Sequence, residues 1–351
     1  MTKSLFTRLA AAAALIALPF APAHAEEQSI EAAFDAAFTA RAAAPQMSAP
    51  QVSSPVVQAP RASSSSSSLI PVTRQPMAAS YRTPLEQQIA LLAEDSRGRI
   101  GVAAVDLATG QSVSVLGNQA FPMASTSKIA IVATFLEQVD QGRLSLTSEF
   151  PISGSQFLPA HQLIDMVITR SSNPATDALL RAVGGVGPVN AWAQRAGIAD
   201  FNLTRDIATL VREDGRVDPA SYIDLRDSST PQAMVDLLTG IYQGRWLTPE
   251  SRRVIISAME RCRTGTRRIP AMMPAGVTVA HKTGSLNNTS SDIGIITGPD
   301  GRSIAVAIYV TGQGTRAARE ARIASIARAI YDGFTDTGRV FANASYGSTG
   351  S

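Results

Sequence analysis

Three short motifs follow one another in this chain of 351 residues: Ser125-Thr126-Ser127-Lys128, Ser171-Ser172-Asn173 and Lys282-Thr283-Gly284-Ser285. Together they bring a serine nucleophile, two lysines, further hydroxyls, a side-chain amide and a glycine that leaves room beside a strand. That set can open an amide by acylating a serine. A serine hydroxyl is a weak nucleophile and needs a neighbouring base. Lys128 lies three residues after Ser125 and rises from the same helix face one turn later. Burial depresses a lysine pKa, and the neutral amine can then take the serine proton. Ser125 also opens a helix, whose positive end favours an alkoxide-like oxygen; Ser127 points elsewhere and lacks a lysine three positions on. Ser171 suits proton relay to a leaving nitrogen. Asn173 can hold a substrate amide through both its carbonyl and its amino group. Lys282 and Thr283 suit an anionic group, and Gly284 lets a ligand lie against the backbone. The Ser125 and Ser285 N–H groups can form an oxyanion hole, at about 3–4 kcal/mol per donor.

Each motif alone has an ordinary reading: a capped helix, a turn, a solvated strand end. What distinguishes them is the elements that carry them. Leu85 to Asp95 has helical periodicity, Arg99 to Asp106 reads as a strand, and Gln111 to Gly117 as its hairpin partner across Ala108-Thr109-Gly110. From Ser125 to about Ile255 the pattern is mostly helical, broken by a polar stretch from Arg205 to Ser229. Strand signals return at Val277 to His281, with the third motif at the strand end, then at Asp292 to Thr297 and Ser303 to Thr311. Thr315 to Phe334 closes as an amphipathic helix. The expected fold is α+β: three layers, α/β/α, around an antiparallel sheet, with an inserted all-helical lobe. A cleft between the lobes is a usual place for an active site.

The ends of the chain are of different material. Residues 1–25 read as a signal peptide: Lys3 and Arg8, the apolar run Leu9 to Phe20, then Ala23-His24-Ala25. The expected location is periplasmic, with no stable membrane insertion. Residues 26–84 are rich in Pro, Ala, Ser and Gln, with Ser63 to Ser68 unbroken, and read as a disordered linker. Ile30 to Ala43 can form a transient helix within it. The hydrolase domain spans residues 85–335, and residues 336–351 read as a flexible tail that frays from Gly338. Removing Lys3 and Arg8 from the 31 basic residues leaves 29 against 28 acidic ones, so no nucleic-acid surface is indicated. Cys262 is the only cysteine; it forms no internal disulfide, has no histidine near it in sequence, and reads as a small core residue.

All three motifs in this order resemble the serine β-lactamase and penicillin-binding-protein superfamily, and most closely the class A β-lactamases. The resemblance runs from about Leu85 to Phe334. It includes the run Met166 to Asn173, the stretch Arg226-Asp227-Ser228-Ser229-Thr230-Pro231 with Met234, and Thr264-Gly265, Arg268-Ile269 and Pro274-Ala275-Gly276. It implies a Ser125 acyl-enzyme with Lys128 as base or partner of the base, Ser171 and Asn173 lining the cleft, and Lys282, Thr283, Gly284 and Ser285 at the substrate. It implies no cofactor and no metal, and a β-lactam or D-Ala-D-Ala peptide as substrate for a monomeric enzyme.

Three departures stand out. Class A enzymes deacylate with a glutamate in an E-x-x-L-N stretch, which is missing; counting from Thr204-Arg205, the position falls near Leu210. Glu213 is the only glutamate of that loop and the candidate base, with Asp206 and Asp224 behind it. Ser172 stands where the family usually carries Asp. The family's carboxylate-binding arginine has no match on the strand after the third motif, where Ser291 stands. The expectation is a β-lactamase; the alternatives are a D-alanyl-D-alanine peptidase, or a sensor that traps β-lactams as a long-lived ester.

Overall fold

Thr83 and Glu86 close a capping box ahead of the first helix, α1 (Pro84–Glu94). The Glu86 N–H donates to Thr83 Oγ1 at 3.2 Å, and Thr83 Oγ1 donates to Glu86 Oε2 at 2.9 Å. Pro84 at the first helical position has no N–H to satisfy. The computed structural model describes residues 68–72, 81, 83–94 and 98–344, with side chains to Thr335. All of these belong to the unit Ser65–Ser351. The expected signal peptide, the Ile30 to Ala43 helix and most of the linker lie outside the described residues.

Five antiparallel strands make the central sheet, in the order β10 (Thr278–Leu286), β11 (Thr289–Thr297), β12 (Ser303–Gly312), β2 (Gly98–Asp106), β3 (Ser112–Val115). An early and a late strand meet where β12 pairs with β2, from Ile304 opposite Asp106 to Gly312 opposite Gly98. Everything between β3 and β10 is therefore inserted into a sheet that β2, β3 and β10 to β12 make. Side chains alternate between the faces. Ile100, Val102, Ile304, Val306 and Ile308 pack on α1 and the last helix, α9 (Arg316–Ala344), through Ile89, Ile323, Ile326 and Ile330.

The opposite face presents smaller residues, Ala103, Ala305 and Ala307, to the larger core. That core takes in α2 (Lys128–Asp140), α3 (Ala160–Thr169), α4 (Asn173–Ala182), α5 (Val186–Arg195), α7 (Pro231–Gln243) and α8 (Pro249–Glu260). Each aliphatic side chain fully buried there contributes about 1.5–3 kcal/mol. The three-layer arrangement and the helical lobe are those expected from the sequence.

The structure differs from expectation in four places. Leu69–Pro71, inside the stretch read as disordered, is a strand, β1, paired with β8 (Tyr222–Asp224); Val72 N–H donates to Ser221 O at 2.9 Å. An open strand edge offered three apolar residues a partner. Helix α9 runs past Gly338 to Ala344, since one helical glycine costs only about 1 kcal/mol. The helical block holds a hairpin of β5 (Glu149–Ser153) and β6 (Gln156–Pro159). The polar stretch after Arg205 folds into α6 (Ile207–Glu213), β8 and β9 (Ser228–Ser229), which pairs with both β4 (Phe121–Pro122) and β7 (Phe201–Asn202).

Candidate active site

Ser125 stands on a tight turn. A 3-10 turn, Ala124–Ser127, leads directly into α2, and Ala124 enters it at φ 48°, a conformation costly for a residue with a side chain. The turn is tied down on every side. Thr126 Oγ1 donates to Met123 O at 2.7 Å and lies 2.9 Å from the Tyr309 hydroxyl on β12. Ser127 Oγ donates to Ala124 O at 2.9 Å, and Met123 N–H donates to Asp227 O at 2.9 Å. Its neighbours are buried and Ser125 alone in the turn is half-exposed. Among the described residues its hydroxyl has no hydrogen-bond partner.

Lys128 is fully buried and reaches the second motif. Its Nζ donates to Ser171 O at 2.7 Å and to Asn173 Oδ1 at 2.7 Å, and lies 3.1 Å from Ser171 Oγ. Burial and the like charge of Lys282 hold its pKa well below the usual lysine value, while Asp177 draws it back up. A neutral amine has two N–H groups, which match the two carbonyl oxygens, and a lone pair left for a hydroxyl proton. Lys282 Nζ donates to Ser171 Oγ at 2.9 Å, so that hydroxyl bridges the two lysines. Burial lowers the Lys282 pKa to about 8; the Cys262 and Asp292 charges oppose this and Arg268 adds to it. Ser171 itself sits at φ 55°. Ser172, in place of the family's Asp, caps α4 by accepting from Ala175 N–H at 3.3 Å.

The third motif is not a solvated strand end. Strand β10 continues through it to Leu286, paired with β11 from Thr278 to Leu286, and Lys282 is fully buried. Its polar residues escaped a reading based on apolar runs because polar groups satisfy them. Gly284 is required by close approach: a Cβ there would stand 2.9 Å from Met123 O and 3.1 Å from Ala124 Cβ. The glycine thus lets the strand lie against the Ser125 turn. Thr283 Oγ1 is 2.6 Å from Thr264 Oγ1.

Arg268 went unassigned in the sequence reading, which looked for an arginine on β11 and found Ser291. Arg268 enters instead from the 3-10 turn Ile269–Met272. Its Nη1 donates to Ser291 O at 2.8 Å and Gly284 O at 2.9 Å, and its Nη2 to Ser285 Oγ at 2.7 Å. Glu320 on α9 balances it at 3.1 Å. The signal was Arg268-Ile269 itself, present in the flank but given no role.

The loop behaves differently. Asp227, buried at its base, accepts from Thr204 N–H at 2.7 Å, Thr204 Oγ1 at 3.0 Å, Arg205 N–H at 3.1 Å and Arg205 Nε at 2.6 Å. Glu213 is not brought to the Ser125 cluster by any of its contacts. Its carboxylate takes Arg205 Nη1 at 2.7 Å and Arg216 Nη1 at 3.5 Å, and the Arg205 hydrogen bond lowers its pKa. Leu210, near which counting places the family's glutamate, is buried. Asp206 caps α6, and Asp224 pairs with Arg226 at 2.8 Å. The carboxylate that acts on Lys128 is Asp177, which the sequence reading missed. It accepts from Ile207 N–H at 2.8 Å and Ala208 N–H at 3.0 Å, and burial raises its pKa. Among the described residues no group of three or more His, Cys, Asp and Glu is placed to hold a metal, and no helix is long and apolar enough to cross a membrane.

Known proteins share this framework. The family model described as "Beta-lactamase enzyme family" matches residues 84–334. The extended-spectrum β-lactamase PER-1 of Pseudomonas aeruginosa is 26% identical over 294 residues, covering 76% of this chain and 93% of that protein. β-Lactamase CTX-M-8 of Citrobacter amalonaticus is 28% identical, covering 71% of this chain and 89% of its own length. Among solved structures, a variant of the last common ancestor of Gram-negative bacteria class A β-lactamase superposes with a TM-score of 0.67 at 31% identity, covering 73% of this chain and all of that one. A β-lactamase from Chitinophaga pinensis gives 0.65 at 28% identity, covering 72% and 99%. With the Ser125 turn, the buried lysines and these likenesses together, the chain belongs to the β-lactamase enzyme family, within the serine β-lactamase superfamily.

Proposed function

We propose that this protein opens β-lactam rings through a Ser125 acyl-enzyme and releases the product by hydrolysis. The observation that carries the reading is the buried Lys128–Ser171–Lys282 array, with Asn173, beside a half-exposed serine. Ser125 Oγ attacks the lactam carbonyl carbon and its proton passes to Lys128. The carbonyl oxygen, now negative, is held by the Ser125 and Ser285 N–H groups. The ring C–N bond breaks, and the nitrogen takes its proton through Ser171, which both lysines touch. Lys282 and Thr283 hold the substrate carboxylate, with Ser285 oriented by Arg268 from behind. Asn173 takes the substrate's side-chain amide. Residues 1–25 direct export to the periplasm, where the monomeric enzyme confers β-lactam resistance.

Release of Ser125 is the slower half. Deacylation by water needs a base, and Glu213 is occupied by Arg205 and Arg216. The same observation favours one second reading, a D-alanyl-D-alanine peptidase whose natural ester turns over without that glutamate. Stopped-flow mixing with a chromogenic cephalosporin tests both. A burst of one equivalent followed by steady turnover supports the lactamase. A burst without a steady rate rejects it, and D-Ala release from a pentapeptide mimic then establishes the peptidase.

A further inference from the structure

Strand β1 lies outside the matched residues 84–334, yet it is built into the loop between Arg205 and Asp227. Leu69 stands opposite Asp224, Ile70 opposite Ile223 and Pro71 opposite Tyr222. Val72 N–H donates to Ser221 O at 2.9 Å, and Leu225 N–H donates to Ser68 O at 3.1 Å. Hydrogen-bonded pairs recur at every second residue of an antiparallel ladder, so Ile70 and Ile223 form the pair between these two. Pro71 falls at the alternate position, where its missing N–H would point away from β8. Ser68 to Val72 is thus suited residue by residue to an edge strand.

The pairing rests on backbone. Ile70 and Tyr222 are each 45% exposed, so their side chains cover little apolar surface. Among the described residues β8 pairs with no other strand. The rest of the loop is moored separately. Asp227 holds its neck and Asp177 the first turn of α6. Asp214 accepts from Asn287 N–H at 2.9 Å, and Asp218 from Asn288 Nδ2 at 2.9 Å. Leu225 O, just past β8, accepts from Asn202 Nδ2 at 2.7 Å. Between these moorings β8 has only β1 to pair with.

Strand β8 also forms one wall of a cavity of about 170 Å³. Tyr222 and Asp224 line it from β8, Leu210 and Glu213 from α6, and Leu286 and Pro122 from the sheet side. Leu286 follows Ser285, and Pro122 stands three residues before Ser125. A cavity of that size admits a few waters, at about 30 Å³ each, but no drug-sized ligand, which needs about 300 Å³ or more. Hydrolysis of an ester on Ser125 consumes one water.

We propose that Ser68–Val72 is a positioning strap: it holds β8 so that the loop keeps this cavity closed near Ser125 while the acyl-enzyme is hydrolysed. The hydrogen bonds that join Lys128, Ser171, Asn173 and Lys282 involve neither the loop nor the strap, so acylation does not depend on it. Loop closure of this kind sets kcat rather than the ability to react. The effect on hydrolysis rests on the β-lactamase reading above, whereas the docking of the strap does not.

The test is the double variant Ile70→Pro, Val72→Pro in the full-length protein. Ile70→Val, Val72→Ile is its conservative control, which keeps both N–H groups. Hydrogen exchange read by mass spectrometry should be about tenfold faster or more over residues 221–225 of the proline variant, and unchanged at 207–208, which Asp177 holds. Stopped-flow mixing with a chromogenic cephalosporin should give the wild-type burst amplitude and a kcat lower by about fivefold or more. The conservative variant should match the wild type in both. Unchanged exchange over 221–225 overturns the strap. Faster exchange with unchanged kcat, or loss of the burst together with kcat, overturns its part in hydrolysis. If the double variant does not fold, Val72→Pro alone, which removes the bond to Ser221, reads the same two quantities. If the wild type shows a burst and no steady rate, the lactamase reading fails; exchange still decides the strap, and kcat for D-Ala release decides its part in hydrolysis.

Discussion

The Ser125 cluster and the Thr204–Ser229 loop use the same kinds of residue to opposite ends. In the cluster two lysines are fully buried within reach of one hydroxyl, with no carboxylate in contact. Desolvation lowers both pKa values, and the charge of Lys282 lowers that of Lys128 further. In the loop, carboxylates meet arginines at 2.6–2.8 Å: Asp227 and Glu213 share Arg205, and Asp224 pairs with Arg226. Those pairs hold charge in place and fix the chain. One region is built to move protons and the other to hold a shape. On the reaction proposed above, acylation draws on the first region, while the Glu213 carboxylate of the second is held by Arg205 and Arg216.

The largest effect should come from the nucleophile. Ser125→Ala is expected to abolish both burst and steady phases, a loss on the order of 10⁶ in kcat by analogy with other serine hydrolases. Retained burst kinetics would remove Ser125 from its role. Next is the pin of the loop. Asp227→Ala strips Arg205 of a buried partner and frees the Thr204 and Arg205 N–H groups, costing about 3–5 kcal/mol. Urea unfolding measures it. A loss under about 1 kcal/mol, the scale of an exposed pair, would show that the loop does not depend on this buried carboxylate.

The cluster was legible because its residues are spaced by local geometry: Ser125 and Lys128 on one turn, Ser171 and Asn173 around the start of a helix, where Lys128 reaches them. The sheet and the helical lobe were legible for the same reason, from periodicity. What escaped depends on contacts across the chain. The third motif was cut short at a strand end because Ser285, Ser290 and Ser291 look like solvated residues, whereas Arg268, Arg319 and the Gly284 carbonyl partner them. Arg268 stands where an arginine from another strand was sought. Asp177 lies within the α4 run with no motif to mark it, yet it holds the first turn of α6.

Smaller effects sharpen the contrast through pH. Lys282 must carry its proton to hold an anionic substrate, and its pKa is about 8. KM for a carboxylate-bearing β-lactam should therefore stay level below that pH and rise above it, with kcat less affected. A KM that is flat to well above pH 8 removes Lys282 from carboxylate binding. Tyr309→Phe removes the hydroxyl that meets Thr126 beneath the nucleophile turn, and should cost about 1 kcal/mol in stability, read by urea unfolding.

The smallest expected change separates the two regions most cleanly. Glu213→Gln keeps an oxygen for Arg205 and removes only the charge, so deacylation should stay within about twofold, as at an ordinary surface position. Asp177→Asn is its counterpart. Asp177 favours the charged form of Lys128, so removing its charge lowers that pKa further. Acylation needs the neutral amine, and its acid limb should therefore move to lower pH in the Asn variant. Pre-steady-state acylation rates across pH measure the shift, and steady-state rates measure the Glu213 change. If Glu213→Gln instead stops turnover with the burst intact, the loop supplies the base after all, and its ion pairs with Arg205 and Arg216 must open once Ser125 is acylated.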